Sequence, residues 1–105
     1  MKSMENFFNP RSVAIFASMK EGKTGYEIVK NMVDGGFKGE IYPINRSGGK
    51  IFGRKIYPEF NNLDIDLAVI AIPGQFIPSL LEDLGSIRVK SVVIISAGFS
   101  EVGNI

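Results

Sequence analysis

The residue types best suited to chemistry in this chain stand at one spacing, Ala17-(x)4-Gly22-Lys23-Thr24, with Gly25 directly after it. Lysine, a hydroxyl and glycine in that order are what a phosphate needs: a charge, a donor and a backbone that can approach closely. The stretch before them, Ser12-Val13-Ala14-Ile15-Phe16-Ala17, is short, apolar and partly β-branched, and predicts a strand buried on both faces. A helical pattern follows. A strand, a tight polar loop and a helix N-terminus aim unpaired N–H groups at an anion, and the helix dipole adds to the attraction. A second group of cations lies further on. Between Ile41 and Pro58 there is no Asp or Glu, but there are Arg46, Lys50, Arg54 and Lys55. With Lys20 and Lys23 they make up half of the twelve basic residues. Such a group is either a solvated surface or an anion-binding rim, and the sequence leaves both open.

Several other chemistries are excluded. The chain has no His and no Cys. That removes the commonest general base, phosphohistidine, thiol catalysis, disulfides and a cysteine zinc site, so no catalytic residue and no metal ligand is assigned. The carboxylates near the loop reduce to Glu21 and Glu101, neither paired with a base. A net charge of +1 gives no bulk attraction for nucleic acid. No run of about 18 apolar residues appears, so no membrane span is expected. The first residues, Met1 to Asn6, lack the apolar core of a signal peptide, which points to a cytoplasmic protein.

Two phosphate-binding schemes can be tested on the residues. A nucleoside-triphosphate P-loop fits Ala17 to Thr24 except for Ala at the first Gly position. It also needs a strand-end carboxylate for Mg²⁺, and Ile72-Pro73 and Ser96-Ala97 offer none. Asp64 and Asp66 precede their strand and so belong at the opposite edge of the sheet. A dinucleotide site needs G-x-G-x-x-G and an acid after the second strand; both are missing, and Asn45-Arg46-Ser47 stands where the acid would be. Arg46 suits a ribose phosphate instead, as carried by NADP and coenzyme A, or is simply a solvated loop cation.

The elements that must hold this loop follow from periodicity and punctuation. A helix over about Thr24–Asp34 carries Ile28, Val29, Met32 and Val33 on one stripe, and Gly35-Gly36 stops it. Gly39–Ile44, Leu67–Ile72 and Ser91–Ser96 predict the second, third and fourth strands. A helix over about Phe76–Leu84 aligns Ile77, Leu80, Leu81 and Leu84, and Gly85 ends it. Lys50-Ile51-Phe52 and Lys55-Ile56-Tyr57 flank Gly53-Arg54 as a small hairpin turn. Phe7 and Phe8 are expected against the sheet edge. At 105 residues and 45% hydrophobic content this is one domain. Continuous apolar strands make it α/β: a Rossmann-like parallel sheet of order 2-1-3-4, counting the four long strands, flanked by helices. Ligands in such sheets bind past the carboxyl ends, at the switch between strands one and three. The apolar outer edge of the fourth strand, Val92 to Ile95, predicts modest stability or self-association into a homo-oligomer.

Five segments arrive in order at consistent spacings: Phe8-Asn9-Pro10-Arg11-Ser12-Val13-Ala14-Ile15, Glu21-Gly22-Lys23-Thr24-Gly25, Gly39-Glu40-Ile41-Tyr42-Pro43-Ile44-Asn45, Asp66-Leu67-Ala68-Val69-Ile70-Ala71-Ile72-Pro73 and Ile95-Ser96-Ala97-Gly98-Phe99-Ser100-Glu101. Together the chain resembles the N-terminal coenzyme A-binding domain of ADP-forming acyl-CoA synthetases, the acetate–CoA ligase family, related to the succinyl-CoA synthetase α subunit. The resemblance implies binding of CoA or acyl-CoA. Ala17, Ser18, Lys23, Thr24 and Gly25 would cradle phosphates. Asn45, Arg46 and Ser47 would sit by the adenosine. Ile72, Pro73, Ser96, Ala97 and Gly98 would line the pantetheine path. Two departures stand out: Ala17 where Gly is usual after the first strand, and Arg46-Ser47 where Pro-Lys is usual. The family's histidine and nucleotide domain lie beyond the matched region, so the chain is expected to be truncated at its C-terminal end. It is also expected to work with the remaining domains or subunit of a synthetase. The alternative is a non-catalytic CoA or nucleotide-binding regulatory module, or the synthetase-like part of a protein acyltransferase.

Overall fold

Ser12–Ala17 form strand β1, and all six residues are buried, as an apolar run with no polar alternation requires. The computed structural model describes residues 9–95. After β1 come α1 (Thr24–Asp34), β2 (Glu40–Ile44), β3 (Lys50–Ile51), β4 (Arg54–Lys55), β5 (Leu67–Ala71), a 3₁₀ turn (Gly74–Phe76), α2 (Ile77–Ser86) and β6 (Ser91–Ile94). Four strands make a parallel sheet of order β2-β1-β5-β6, the order read from the sequence once the hairpin strands β3 and β4 are set apart. Val13 stands opposite Ile41 on one side and Leu67 on the other; Leu67 stands opposite Ser91. The chain switches sides between β1 and β5.

The period of two along β1 divides the core. Val13, Ile15 and Ala17 face α1 and its buried Val29, joined by Ile51 and Ile56 of the hairpin region and by Met19. Ala14 and Phe16 face the other way, with Ala68, Ile70, Ile65 and Leu84 of α2. Phe60 meets Phe16 edge-on at a centroid distance of 4.9 Å. Helix α1 stops as expected. Gly36 has φ +78°, its N–H donates to the Val33 carbonyl, and the Phe37 N–H donates to the Met32 carbonyl. Helix α2 runs past Gly85 to Ser86, and the left-handed residue of its cap is Arg88, at φ +62°. The Arg88 N–H donates to the Gly85 carbonyl and the Val89 N–H to the Leu84 carbonyl. Gly85 is thus inside the last turn and does not end the helix.

The hairpin is also shifted by one residue. Lys50 pairs with Lys55 and Ile51 with Arg54, so the turn is Phe52-Gly53, both at positive φ (51° and 76°). That geometry is a two-residue turn of the kind whose twist suits antiparallel strands. Arg54 belongs to the strand because Gly53 must hold the second left-handed position. Strand β2 is an edge of the sheet, but it is covered: the Tyr57 N–H donates to the Pro43 carbonyl and the Asn45 N–H to the Tyr57 carbonyl. Strand β6 forms the other edge, with Val92, Ile94 and Ile95 exposed. Phe7, Phe8, Ser96, Ala97, Gly98 and Glu101 lie outside the described residues.

At the amino ends of the strands, Ser12 Oγ donates to the Asp64 carbonyl and accepts from the Asp66 N–H. The Asp66 carboxylate accepts from the Arg11 N–H at 2.8 Å and from Lys90 Nζ at 3.0 Å. Burial pushes the Asp66 carboxyl up, but these hydrogen bonds and the Lys90 and Arg11 charges outweigh it and hold it below its ordinary 3.8. Both acids therefore stand at the edge of the sheet opposite the phosphate loop, where they can hold no ligand metal for it.

Candidate functional site

The loop from Ser18 to Lys23 carries the chain from the end of β1 into α1. Gly22, at φ +87°, lets the backbone turn, and the Lys23 N–H donates to the Lys20 carbonyl. Lys23 takes the N-cap position with an extended backbone, but no side chain caps the helix. The first intrahelical bond is Glu27 N–H to the Lys23 carbonyl. The amides of Thr24, Gly25 and Tyr26 are therefore offered outward from the first turn, together with the positive end of the helix dipole. Lys23 and Thr24 are exposed. Gly25 is buried for a steric reason: a Cβ there would run into the Ser18 carbonyl oxygen and lie 2.9 Å from Ala17 Cβ. Glycine brings the helix start down onto the strand end.

A second cluster gathers beside it. Asn45 Nδ2 donates to the Ala17 carbonyl at 2.9 Å, and Asn45 Oδ1 accepts from the Ser47 N–H at 3.0 Å. The carboxamide thus ties the end of β1 to the loop after β2, with both of its ends engaged. Arg46 and Ser47 remain exposed. Next to them opens a cleft of about 520 Å³. Phe16 and Ile44 line it from the sheet, Pro58 and Phe60 from the connection before β5, and Phe76, Ser79, Leu80 and Asp83 from the 3₁₀ turn and α2. An irregular segment, Pro58 to Asp66, stands where an α/β crossover would often place a helix, and this leaves the slot open.

Of the residues picked out from the sequence, Ala17, Asn45, Arg46, Ile72 and Pro73 line the cleft together. Ser18, Lys23, Thr24 and Gly25 form the adjoining helix start, and Ser47 sits on the loop beside Arg46; none of these five lines the cleft itself. Glu21 does not line it either. The carboxylate that does is Asp83, which sequence reasoning missed. Its only signal was helical spacing: Phe76, Ser79, Leu80 and Asp83 fall at i, i+3, i+4 and i+7, the positions that share one face. Chemically the site pairs donors for an anion with an apolar slot of the size of small-molecule sites, about 300–1,000 Å³.

The chain is similar to known proteins. Residues 11–102 match the family described as the CoA binding domain. The α subunit of acetate–CoA ligase (ADP-forming) I from Pyrococcus furiosus is 47% identical over 108 residues, covering 96% of this chain and 23% of the relative. The acetate–CoA ligase (ADP-forming) of Methanocaldococcus jannaschii is 54% identical over 98 residues, covering 90% of this chain and 14% of the relative. The chain thus spans less than a quarter of the length of these relatives. Among solved structures, dinucleotide-forming acetyl-coenzyme A synthetase 1 of Ca. Korarchaeum cryptofilum, in complex with phosphate and ADP, superposes with a TM-score of 0.84. It is 38% identical, with 99% of this chain and 23% of that chain covered. A parallel sheet of this order, an uncapped helix start at its switch point and a match over residues 11–102 lead to one assignment: the chain belongs to the CoA-binding domain family.

Proposed function

We propose that this chain is the CoA-binding part of an ADP-forming acyl-CoA synthetase, and that the cleft and the adjoining helix start divide the cofactor between them. The uncapped N-terminus of α1 carries this reading. It takes the pyrophosphate, with Lys23 adding charge and Ser18 and Thr24 adding hydroxyls. Arg46 and Ser47, at the rim, take the ribose phosphate. The apolar slot lined by Phe16, Ile44, Phe60 and Leu80 takes the planar base. Ile72 and Pro73 start the path of the pantetheine arm, and Ser96, Ala97 and Gly98 would continue it. Asn45 acts as a positioning residue, since its carboxamide is already spent on Ala17 and Ser47. The reaction of the whole synthetase requires its other domains or subunit, in a soluble, cytoplasmic protein. Among the described residues no helix is long and apolar enough to cross a membrane.

Calorimetry tests the reading. CoA and acetyl-CoA bind, dephospho-CoA binds more weakly, and NAD binds more weakly still. Lys23→Ala weakens CoA by about 1–2 kcal/mol, the scale of one charge-assisted contact. Mg²⁺ leaves the affinity unchanged. Magnesium-dependent ATP binding lost in Lys23→Ala would make the loop a P-loop, and NAD binding as tight as CoA would defeat the CoA reading.

A further inference from the structure

We propose that Asp83 sets the base specificity of the cleft, by accepting a hydrogen bond from the exocyclic amine of adenine. The inference rests on the reading that the cleft receives the adenosine of CoA, and it names the residue that recognises the base.

The cleft is polar at two places. At one, on the loop after β2, stands the cation Arg46. At the other, on α2, stand Ser79 and Asp83. The apolar lining includes Phe16, Ile44, Phe60 and Leu80. Helix α2 leaves the carboxyl end of β5 and returns toward the amino end of β6, as a parallel crossover must. Asp83 lies seven residues beyond Phe76, about 10 Å further along the helix at 1.5 Å per residue. It is therefore remote from the strand-end loops that hold the phosphates. A ligand with phosphates at α1 and Arg46 and a flat ring in the apolar slot presents the far edge of that ring toward Asp83.

The carboxylate is free to answer. The ion pairs among the described residues are Lys30 with Asp34 and Lys90 with Asp66, and Asp83 makes no hydrogen bond among them. An ionised carboxylate only accepts. Of the groups on the outer edge of adenine, the exocyclic amine is the one that donates. A donor–acceptor match to an ionised carboxylate discriminates even at an exposed residue, because purine riboside loses the bond and inosine sets two acceptors face to face.

The test compares 3′,5′-bisphosphates of adenosine, of purine riboside and of inosine on the 105-residue chain, by calorimetry, alongside CoA. Purine riboside lacks the amine; inosine sets a 6-oxygen in its place. In the unaltered chain affinity falls from adenosine to purine riboside to inosine, with about tenfold between the first two. Asp83→Ala brings the adenosine and purine compounds within twofold. Asp83→Asn, whose amide also donates, moves inosine above purine riboside. Circular dichroism and a urea midpoint confirm that both variants fold, as expected for an exposed residue. If Asp83→Ala keeps the tenfold preference, the assignment of Asp83 is overturned while the cleft keeps CoA. If inosine exceeds purine riboside in the unaltered chain, the carboxylate is taking a ring N–H, and the amine contact is overturned. If the unaltered chain does not bind CoA at all, it is the reading of the cleft that fails.

Discussion

Two glycines of one chain answer opposite rules. In Gly25→Ala the helix gains propensity, at most about 1 kcal/mol. The new Cβ, however, meets the Ser18 carbonyl and the Ala17 side chain, neither of which can swing aside. Overpacking of that sort costs about 1–3 kcal/mol, so sterics win. Gly25→Ala lowers the urea midpoint and weakens CoA, because the first turn must lift away from β1. Gly85, inside the last turn of α2, has open space around it and no positive φ. Gly85→Ala raises the midpoint, by at most about 1 kcal/mol. An unchanged midpoint in Gly25→Ala would show that the loop yields. Asp66 carries a third prediction. Its carboxyl titrates below 3.8 in the folded chain and near that value when unfolded. Below 3.8 the unfolded chain takes the proton first, so the stability due to Asp66 is intact above that pH. It drains away as the pH falls through the folded value. Urea midpoints measured from pH 5 down to 2 fall steeply in the unaltered chain. In Asp66→Asn they start about 1–3 kcal/mol lower and lose less over that range.

Among the elements, the edges differ most. Strand β2 is closed off by Tyr57, whereas β6 has no strand partner on its outer side among the described residues. The exposed side chains of Val92 and Ile94, and of Ile95 just after the strand, carry no charge to repel another strand. We therefore predict that the chain associates through β6 at high concentration. Ile94→Lys reduces the sedimentation coefficient toward that of an 11.5 kDa monomer; an unchanged coefficient would place the contact elsewhere. The same elements show what periodicity can and cannot carry. The bounds of β1 and α1 are legible residue for residue, since a solid apolar run and a stripe ended by Gly35-Gly36 each have one solution. The hairpin slips by one position because Phe52 accepts a left-handed backbone that composition assigns to glycine. Part of the compensation is visible: its ring packs on Tyr26 at 4.9 Å. The end of α2 slips for a like reason, with Arg88 in the left-handed place. The slot is illegible because Pro58 and Phe60 belong to a segment with no repeat, and Asp83 reads from sequence as one more solvated helix charge.

For the whole molecule, a cofactor site without a phosphate acceptor sets a limit. The chain has neither His nor Cys, and among the described residues the carboxylate that lines the cleft is Asp83. We expect binding without turnover: acetyl-CoA, ADP and phosphate give no ATP above background with this chain alone, and, on the function proposed above, addition of the separately expressed remaining domains restores it. ATP production by the 105 residues themselves would show catalytic groups where none has been identified. The central position of β1 has a further effect, on time. Its partners lie 28 and 54 positions downstream, and β5 finds β6 another 24 positions on. No pair within the four-stranded parallel sheet is local, so closure of that sheet is slow. On a ribosome adding about 5–20 residues per second, the strand destined to be buried along its whole length waits roughly 3–10 s for its second neighbour to be made. During that interval β1 has at most one of its two neighbours and keeps an open, sticky edge, a natural client for a chaperone that grips short hydrophobic segments.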